Sequence, residues 1–306
     1  MSSLWSGALS LFVAIVAAAA YASVTNDLAD REDDLIAGKR NRVGGQPRLA
    51  IAAVLAAAVG AGLVVCWLWR DDLRLVACYA ATWLAFSLYS LPPLRLKRRG
   101  LPGVLCDAAG AHLFPSLAAV LLAGRGAHRG VSELWMASVG VWAFAYGSRG
   151  ILWHQLTDLG NDRAAGIRTF ASRHPRAASA AGAFVVFPIE LGALAAVFWQ
   201  IGSVWPLAAL ALYVLYSVHS ARRWRTSAVI VAPKPRFFIV LQQFYSDLFP
   251  IALLIGGTLR DRRDLAVLIA HLLLFPGRWV HAIRRLSAST ANTVVRASEP
   301  HHGGLG

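Results

Sequence analysis

Charge is scarce in this sequence. Only 15% of its 306 residues are Asp, Glu, Lys or Arg, against about 25% in an ordinary soluble domain. Hydrophobic residues make up 57%, which excludes both a water-soluble globule and a disordered chain. Cysteine is nearly absent. Cys66, Cys78 and Cys106 stand singly in apolar runs, so a disulfide framework and a CxxC metal site are excluded. Acid is the scarcer sign, with sixteen Asp and Glu against thirty Lys and Arg. A net charge of +14 could suit nucleic acid. Here the basic residues form short clusters between long apolar runs, so the charge reads as membrane topology and no nucleic-acid partner is expected.

What is present is a series of apolar runs. A membrane-crossing helix needs roughly 20 mostly apolar residues. Nine stretches qualify: 3–25, 49–69, 74–92, 103–124, 132–154, 178–199, 203–221, 237–259 and 264–284. The sequence predicts an all-α polytopic membrane protein with about nine transmembrane helices. It predicts one membrane domain over residues 1–286 and a polar, disordered tail over 287–306. Alternate connections carry 23 of the 30 Lys and Arg residues. That asymmetry places the basic connections on the cytoplasmic face of the plasma membrane, against anionic lipid, and the N-terminus outside. Ala20-Tyr21-Ala22 is like a signal-peptidase site. No basic segment precedes it and the run is long enough to span, so it reads as an uncleaved helix.

The few acids are clustered. Asp27, Asp30, Glu32, Asp33 and Asp34 follow the first run, and Asp158 and Asp162 follow the fifth. At 100° per residue, Asp27 and Asp34 lie about 20° apart on a helix and Asp30 about 60° from Asp27. Asp158 and Asp162, four apart, also share a face. Carboxylates this close repel unless a cation lies between them. Mg²⁺ suits such a site, since it takes hard oxygen ligands and usually shares them with substrate phosphate and water. The clusters also repeat each other. Asp30, Asp34, Gly38 and Arg40 correspond to Asp158, Asp162, Gly166 and Arg168 at a constant offset of 128 residues. Arg95 and Lys97 correspond in the same way to Arg223 and Arg225. This is a helical unit used twice. Carboxylates, a divalent cation and Arg or Lys together make a diphosphate site.

With these motifs the chain resembles the UbiA superfamily of intramembrane prenyltransferases. The family's NDxxDxxxD pattern is matched by Asn26, Asp27, Asp30 and Asp34. Its second motif is matched by Asp158-Leu-Gly-Asn-Asp162, and its YSxPPxRLK loop by Tyr89 to Lys97. The resemblance covers about residues 5–260. It implies a ring of helices around a lipid-accessible cavity, with Mg²⁺ and a polyprenyl diphosphate donor at the cytoplasmic mouth. By the same resemblance Asp27, Asp30, Asp34, Asp158 and Asp162 are the metal ligands, and Asp27, Asp30, Asp158 and Asp162 are catalytic. Asn26, Lys39, Arg42, Arg95, Lys97 and Arg168 are diphosphate contacts. The implied reaction is ionisation of an allylic diphosphate and transfer of the prenyl group to an unidentified acceptor. The same scaffold also supports a terpene cyclase or lyase that needs no acceptor, and the acidic clusters alone suit a lipid-binding or transport protein. The family carries one helix before its first Asp motif. Here that motif ends the first run, and either the ninth run, 264–284, or a helix upstream of the assigned start is expected to fill the gap.

Other ionisable residues fall inside runs, where they are functional candidates. Asp107, His112, His154 and Asp247 are expected to line an acceptor pocket. Glu190 and Arg149 are further intramembrane charges, for which hydrogen bonding between helices is the simpler reading.

Overall fold

The computed structural model describes residues 2–36, 38, 40–127 and 130–276 and is helical almost throughout. Among the described residues six helices are long and apolar enough to cross a membrane: Trp5–Ala29, Arg48–Leu68, Leu73–Ser90, Leu101–Gly126, Pro175–Ile201 and Val204–Trp224. Their outward faces are apolar, with Leu9, Phe12, Leu63 and Phe184 exposed by 64%, 65%, 65% and 80%. Such surface is solvated by lipid chains and not by water, and the chain is an integral membrane protein. The remaining expected runs take other forms. The fifth is α7 (Glu133–Thr157), 25 residues long but diluted by Arg149 and several small polar residues. The eighth becomes helical only from Gln242. The ninth lies within the described residues only as far as residue 276, and the polar tail over 287–306 lies outside them.

The described chain divides into two compact units. The first holds the residues up to Ile201 together with Ser227–Phe237. In it, α1 (Ser2–Ala29) packs against α3 (Arg48–Leu68) and α4 (Leu73–Ser90), and α4 packs against α6 (Phe114–Gly126). Small residues allow the close approach: Ala14 and Ala18 of α1 are buried with Val65, Trp69, Leu75 and Tyr79. Tyr79 donates its hydroxyl to the Ala14 carbonyl at 3.0 Å, so the phenol is not left unpaired in hydrocarbon. Helix α7 packs against α5 (Leu101–Ala108) and α11 (Phe187–Ile201). The second unit is built on α12 (Val204–Trp224), α13 (Phe249–Arg260) and α14 (Leu265–Leu274), with Phe244 stacked on Phe249.

Three helices contain a single π turn: Ala109–Leu113, Gly182–Val186 and Phe244–Leu248. Each is followed at once by Phe-Pro, at 114–115, 187–188 and 249–250. Proline brings no N–H and its ring crowds the carbonyl one turn back, and a widened preceding turn accommodates both. Four of the intramembrane ionisable residues stand close to these irregularities. His112 and Asp247 lie within π turns, Asp107 two residues before one, and Glu190 two residues after a proline.

At the middle π turn, a Cβ on Gly182 would lie 2.3 Å from Val231 Cγ2. A Cβ on Gly192 of α11 would meet nothing within 4 Å. Gly182→Ala is expected to destabilise the protein by about 1–3 kcal/mol, as overpacking does. Thermal melting in detergent should show a lower midpoint for that variant and none for Gly192→Ala.

Candidate active site

The site is assembled at one end of α1, α4 and α7 by three short connections. In the first, α1 passes into α2 (Arg31–Ile36), and the helical hydrogen bonds continue across the junction, Asp30 N–H to Asn26 at 2.9 Å and Asp34 N–H to Asp30 at 2.8 Å. Asp27, Asp30 and Asp34 therefore keep a shared face, as the helical period requires. In the third connection α8 (Leu159–Ala164) continues from α7, and Asp162 N–H donates to the Asp158 carbonyl at 2.9 Å. Gly166 N–H then bonds Arg163 at 3.2 Å and Ile167 N–H bonds Asp162 at 2.8 Å. This is the Schellman termination, and it needs a left-handed residue at Gly166, whose φ is +65°. Gly38, the counterpart 128 residues earlier, has the same φ of +65° and bonds Leu35 at 3.2 Å. Both glycines stop a helix just past its carboxylates.

The middle connection carries the cations. Arg95 is left-handed at φ 40°, and Leu96–Arg98 form a short 3₁₀ turn that brings Lys97 and Arg98 back over the first motif. Gly103 lets this turn lie close, since a Cβ there would meet the Leu96 carbonyl oxygen at 2.6 Å. A bridge between Gly100 and Thr169 ties this connection to the third.

Around the first motif Asp27, Asp30, Asp33 and Asp34 each have a partner. Arg42 holds Asp27 with two hydrogen bonds, at 2.8 and 3.1 Å. Arg95 donates to Asp30 at 2.8 Å and to Asp33 at 2.9 Å. Lys97 pairs with Asp30 and donates to Asn26 Oδ1 at 2.9 Å. Arg98 pairs with Asp33. Asn41 donates to Asp34 at 2.7 Å and to the Asp27 carbonyl at 2.8 Å. Burial holds the Lys97 ammonium below the usual lysine range, and Asp30 partly restores it. At the second motif Thr169 donates its hydroxyl to Asp162 at 3.0 Å.

A cavity of about 500 Å³ lies between the two motifs. Asn26, Asp27, Asp30, Asp34, Asp158 and Asp162 all line it, with Arg42, Lys97, Asp107 and His154. Other expected residues lie elsewhere. Arg95 stands behind Asp30 and Asp33 and outside the cavity lining, and Arg168 is exposed beside it. His112 packs edge-on against Tyr146, at 5.1 Å between ring centres, and over Gly147. Asp247 belongs to the second unit. Lys39 lies outside the described residues. Glu190 and Arg149 form a fully buried pair with two hydrogen bonds, at 2.6 and 2.8 Å.

Arg40, Tyr89 and Ser90, which belong to the sequence motifs but carry no site role there, also line the cavity, as do Gln155 and Thr169. Gln155 accepts from Ala171 N–H at 3.2 Å, and its amide nitrogen is buried with no partner. An orphaned donor in a wall of this kind suits an anion. Among the described residues no three Asp, Glu, His or Cys side chains close into a ready metal cage. The donor set nonetheless fits Mg²⁺, which takes one or two carboxylates and completes its shell with phosphate oxygens and water.

The family model described as the UbiA prenyltransferase family matches residues 2–241. No curated protein and no solved structure matches the chain.

Asp33 is buried between two guanidinium groups, whereas its neighbour Glu32 is exposed. Asp33→Asn is expected to lose roughly 2 kcal/mol of stability, in the range of hydrogen bonds to charged groups. Glu32→Gln should lose nothing measurable, and thermal melting of the two variants without added metal makes the comparison.

Proposed function

This chain belongs to the UbiA prenyltransferase family, whose members are membrane prenyltransferases, and we propose that it transfers a prenyl group from a polyprenyl diphosphate to an acceptor within the membrane, with Mg²⁺. One observation carries the reading. Carboxylates from both motifs line a single cavity that also holds Lys97, Arg42 and the open Gln155 donor. The diphosphate is the ligand whose charge this mixture answers. With the basic connections on the cytoplasmic side, as the Lys and Arg distribution supports, that cavity opens to the cytoplasm.

The reaction breaks the bond between the allylic carbon and the bridging oxygen, and the electron pair leaves with pyrophosphate. The acceptor's nucleophile supplies the pair for the new bond and loses a proton. Asp27, Asp30, Asp34, Asp158 and Asp162 are the residues to hold Mg²⁺, which when bound supplies positive charge to the departing oxygens. In the free protein Arg42 and Lys97 are paired with Asp27 and Asp30. On binding they turn to the phosphate oxygens and stabilise the leaving group, and Gln155 adds a neutral donor. Phe86 lines this cavity and also an apolar one of about 330 Å³ walled by α1, α4 and α6. That neighbour suits the start of the prenyl chain and keeps water from the cation. Asp107 and His154, on the cavity wall, are the groups positioned to take the acceptor's proton.

Pyrophosphate release by the purified protein in nanodiscs tests this, with prenyl diphosphates of increasing length and with or without Mg²⁺. Release should require Mg²⁺ and fall by on the order of a hundredfold or more in Asp27→Ala and in Asp158→Ala. Release with no acceptor added, giving a cyclised hydrocarbon or an alcohol, would indicate a cyclase. Absence of release at every chain length would sink the proposal.

A further inference from the structure

A second cavity, of about 680 Å³, shares no lining residue with the first. It is an apolar groove whose floor is the face of α7 from Met136 to Leu152, flanked by α5 and α6 on one side and by the π turn before α11 on the other. At 1.5 Å per residue that floor is about 24 Å long, most of the roughly 30 Å of a bilayer's hydrocarbon core. Its edges are open, with Leu105, Val141 and Ile189 exposed by 44%, 46% and 48%.

The two ends of the groove differ in charge. At one end stand Leu101 and Phe170, next to the bridge between Gly100 and Thr169. Arg99 and Arg168 immediately precede that bridge and are exposed. Arg173 lies one turn beyond Phe170 on α9 (Phe170–Arg173), on the same helical face, and is also exposed. No acid occurs between Ala164 and Ala181. At the other end the groove reaches Glu133. A long apolar slot with cations at one end and a carboxylate at the other selects an amphiphile with an anionic head, in one orientation.

We propose that this groove holds an anionic phospholipid, with an acyl chain along α7 and the headgroup phosphate on Arg99, Arg168 and Arg173. Basic pockets between transmembrane helices bind anionic headgroups by the same physics. A prenyl diphosphate is the weaker fit here, because the carboxylate nearest the rim, Asp162 on Thr169, is buried and lines the other cavity. Arg168, expected from the repeat to reach the diphosphate site, takes a lipid headgroup instead.

Native mass spectrometry of the full chain released from mixed micelles reads the occupancy directly. The probes are phosphatidylglycerol, phosphatidylcholine and a prenyl diphosphate, each supplied at equal concentration. Phosphatidylglycerol should be retained preferentially over phosphatidylcholine, and the prenyl diphosphate, which binds at the carboxylate cavity, should not displace it. Removing two rim cations in Arg99→Gln/Arg173→Gln should reduce that preference about tenfold or more, given the worth of each basic residue near a membrane surface. Val141→Trp, which fills the middle of the groove, should reduce retention of the lipid while leaving the preference of any residual binding intact. Thermal melting, with phosphatidylglycerol raising the wild-type midpoint and not that of the double variant, separates lost binding from lost fold. Equal retention of the two phospholipids, retention unchanged in both variants, or displacement of bound phosphatidylglycerol by the prenyl diphosphate would each overturn the assignment.

Discussion

Carboxylates drawn together at the edge of a low-dielectric bundle repel one another unless positive charge lies among them. Much of the local structure of this protein follows from that constraint. Asp27, Asp30 and Asp33 each receive an Arg or Lys, and Asn41 serves Asp34. The cations come from two connections, 38–42 and 95–98, which must be held over the end of α1. The left-handed Arg95, the close approach at Gly103 and the glycine stop at Gly38 achieve this. A change at any of these backbone positions would move charge without touching a carboxylate.

The same constraint applies deeper in the bundle. Arg149 and Glu190 are 1% and 0% exposed, and neither could remain charged there alone. Their paired hydrogen bonds join α7 to α11, and Arg149 also donates to the Ile230 carbonyl at 3.3 Å. The segment 227–237 is thereby fastened to the back of α7, where Val231 packs with Leu152 and Leu156. The front of the same helix presents Ile151, His154, Gln155 and Asp158 to the polar cavity. One helix thus carries a structural charge on one side and the candidate chemistry on the other.

How much of this was legible depends on the distance over which each feature is determined. The shared face of Asp27, Asp30 and Asp34 is local, set by the helical period, and all three line the cavity. Arg42 and Lys97 were singled out through the family resemblance, as diphosphate contacts, and their pairing with Asp27 and Asp30 is seen only in the fold. Asp33 was not singled out, because its role depends on where the 95–98 turn lands on it. Gln155, being neutral, gave no charge signal, and only the packing of Ala171 against it exposes its open donor. His112 lies in a π turn, where 100° per residue no longer holds, and it packs over Gly147. The Phe-Pro pairs after the three π turns were visible in the sequence as a signal of that irregularity. The apolar runs at 132–154 and 237–259 read as plain spans, but Arg149 dilutes one and the irregular start before Gln242 shortens the helix of the other.

The internal repeat matches in backbone at its two glycines and not at its basic turns, where Arg95 is left-handed and its counterpart Arg223 is helical. Gly38 and Gly166 share a φ of +65°, and each follows its second carboxylate by four residues. The partners differ. Around the first motif the charges are met by Arg42, Arg95, Lys97 and Arg98, whereas Asp162 of the second motif receives a neutral hydroxyl from Thr169. Arg168, which follows Gly166 as Arg40 follows Gly38, is outside the cavity lining that Arg40 joins. A cation must displace existing ion pairs to reach the first motif's carboxylates, and those displaced Arg and Lys groups need an anion of their own. An anion and a divalent cation arriving together satisfy both sets at once. On the proposed reading each favours the other's binding, and the coupling is reciprocal by linkage. The duplicated scaffold brings two carboxylate ends to one cavity.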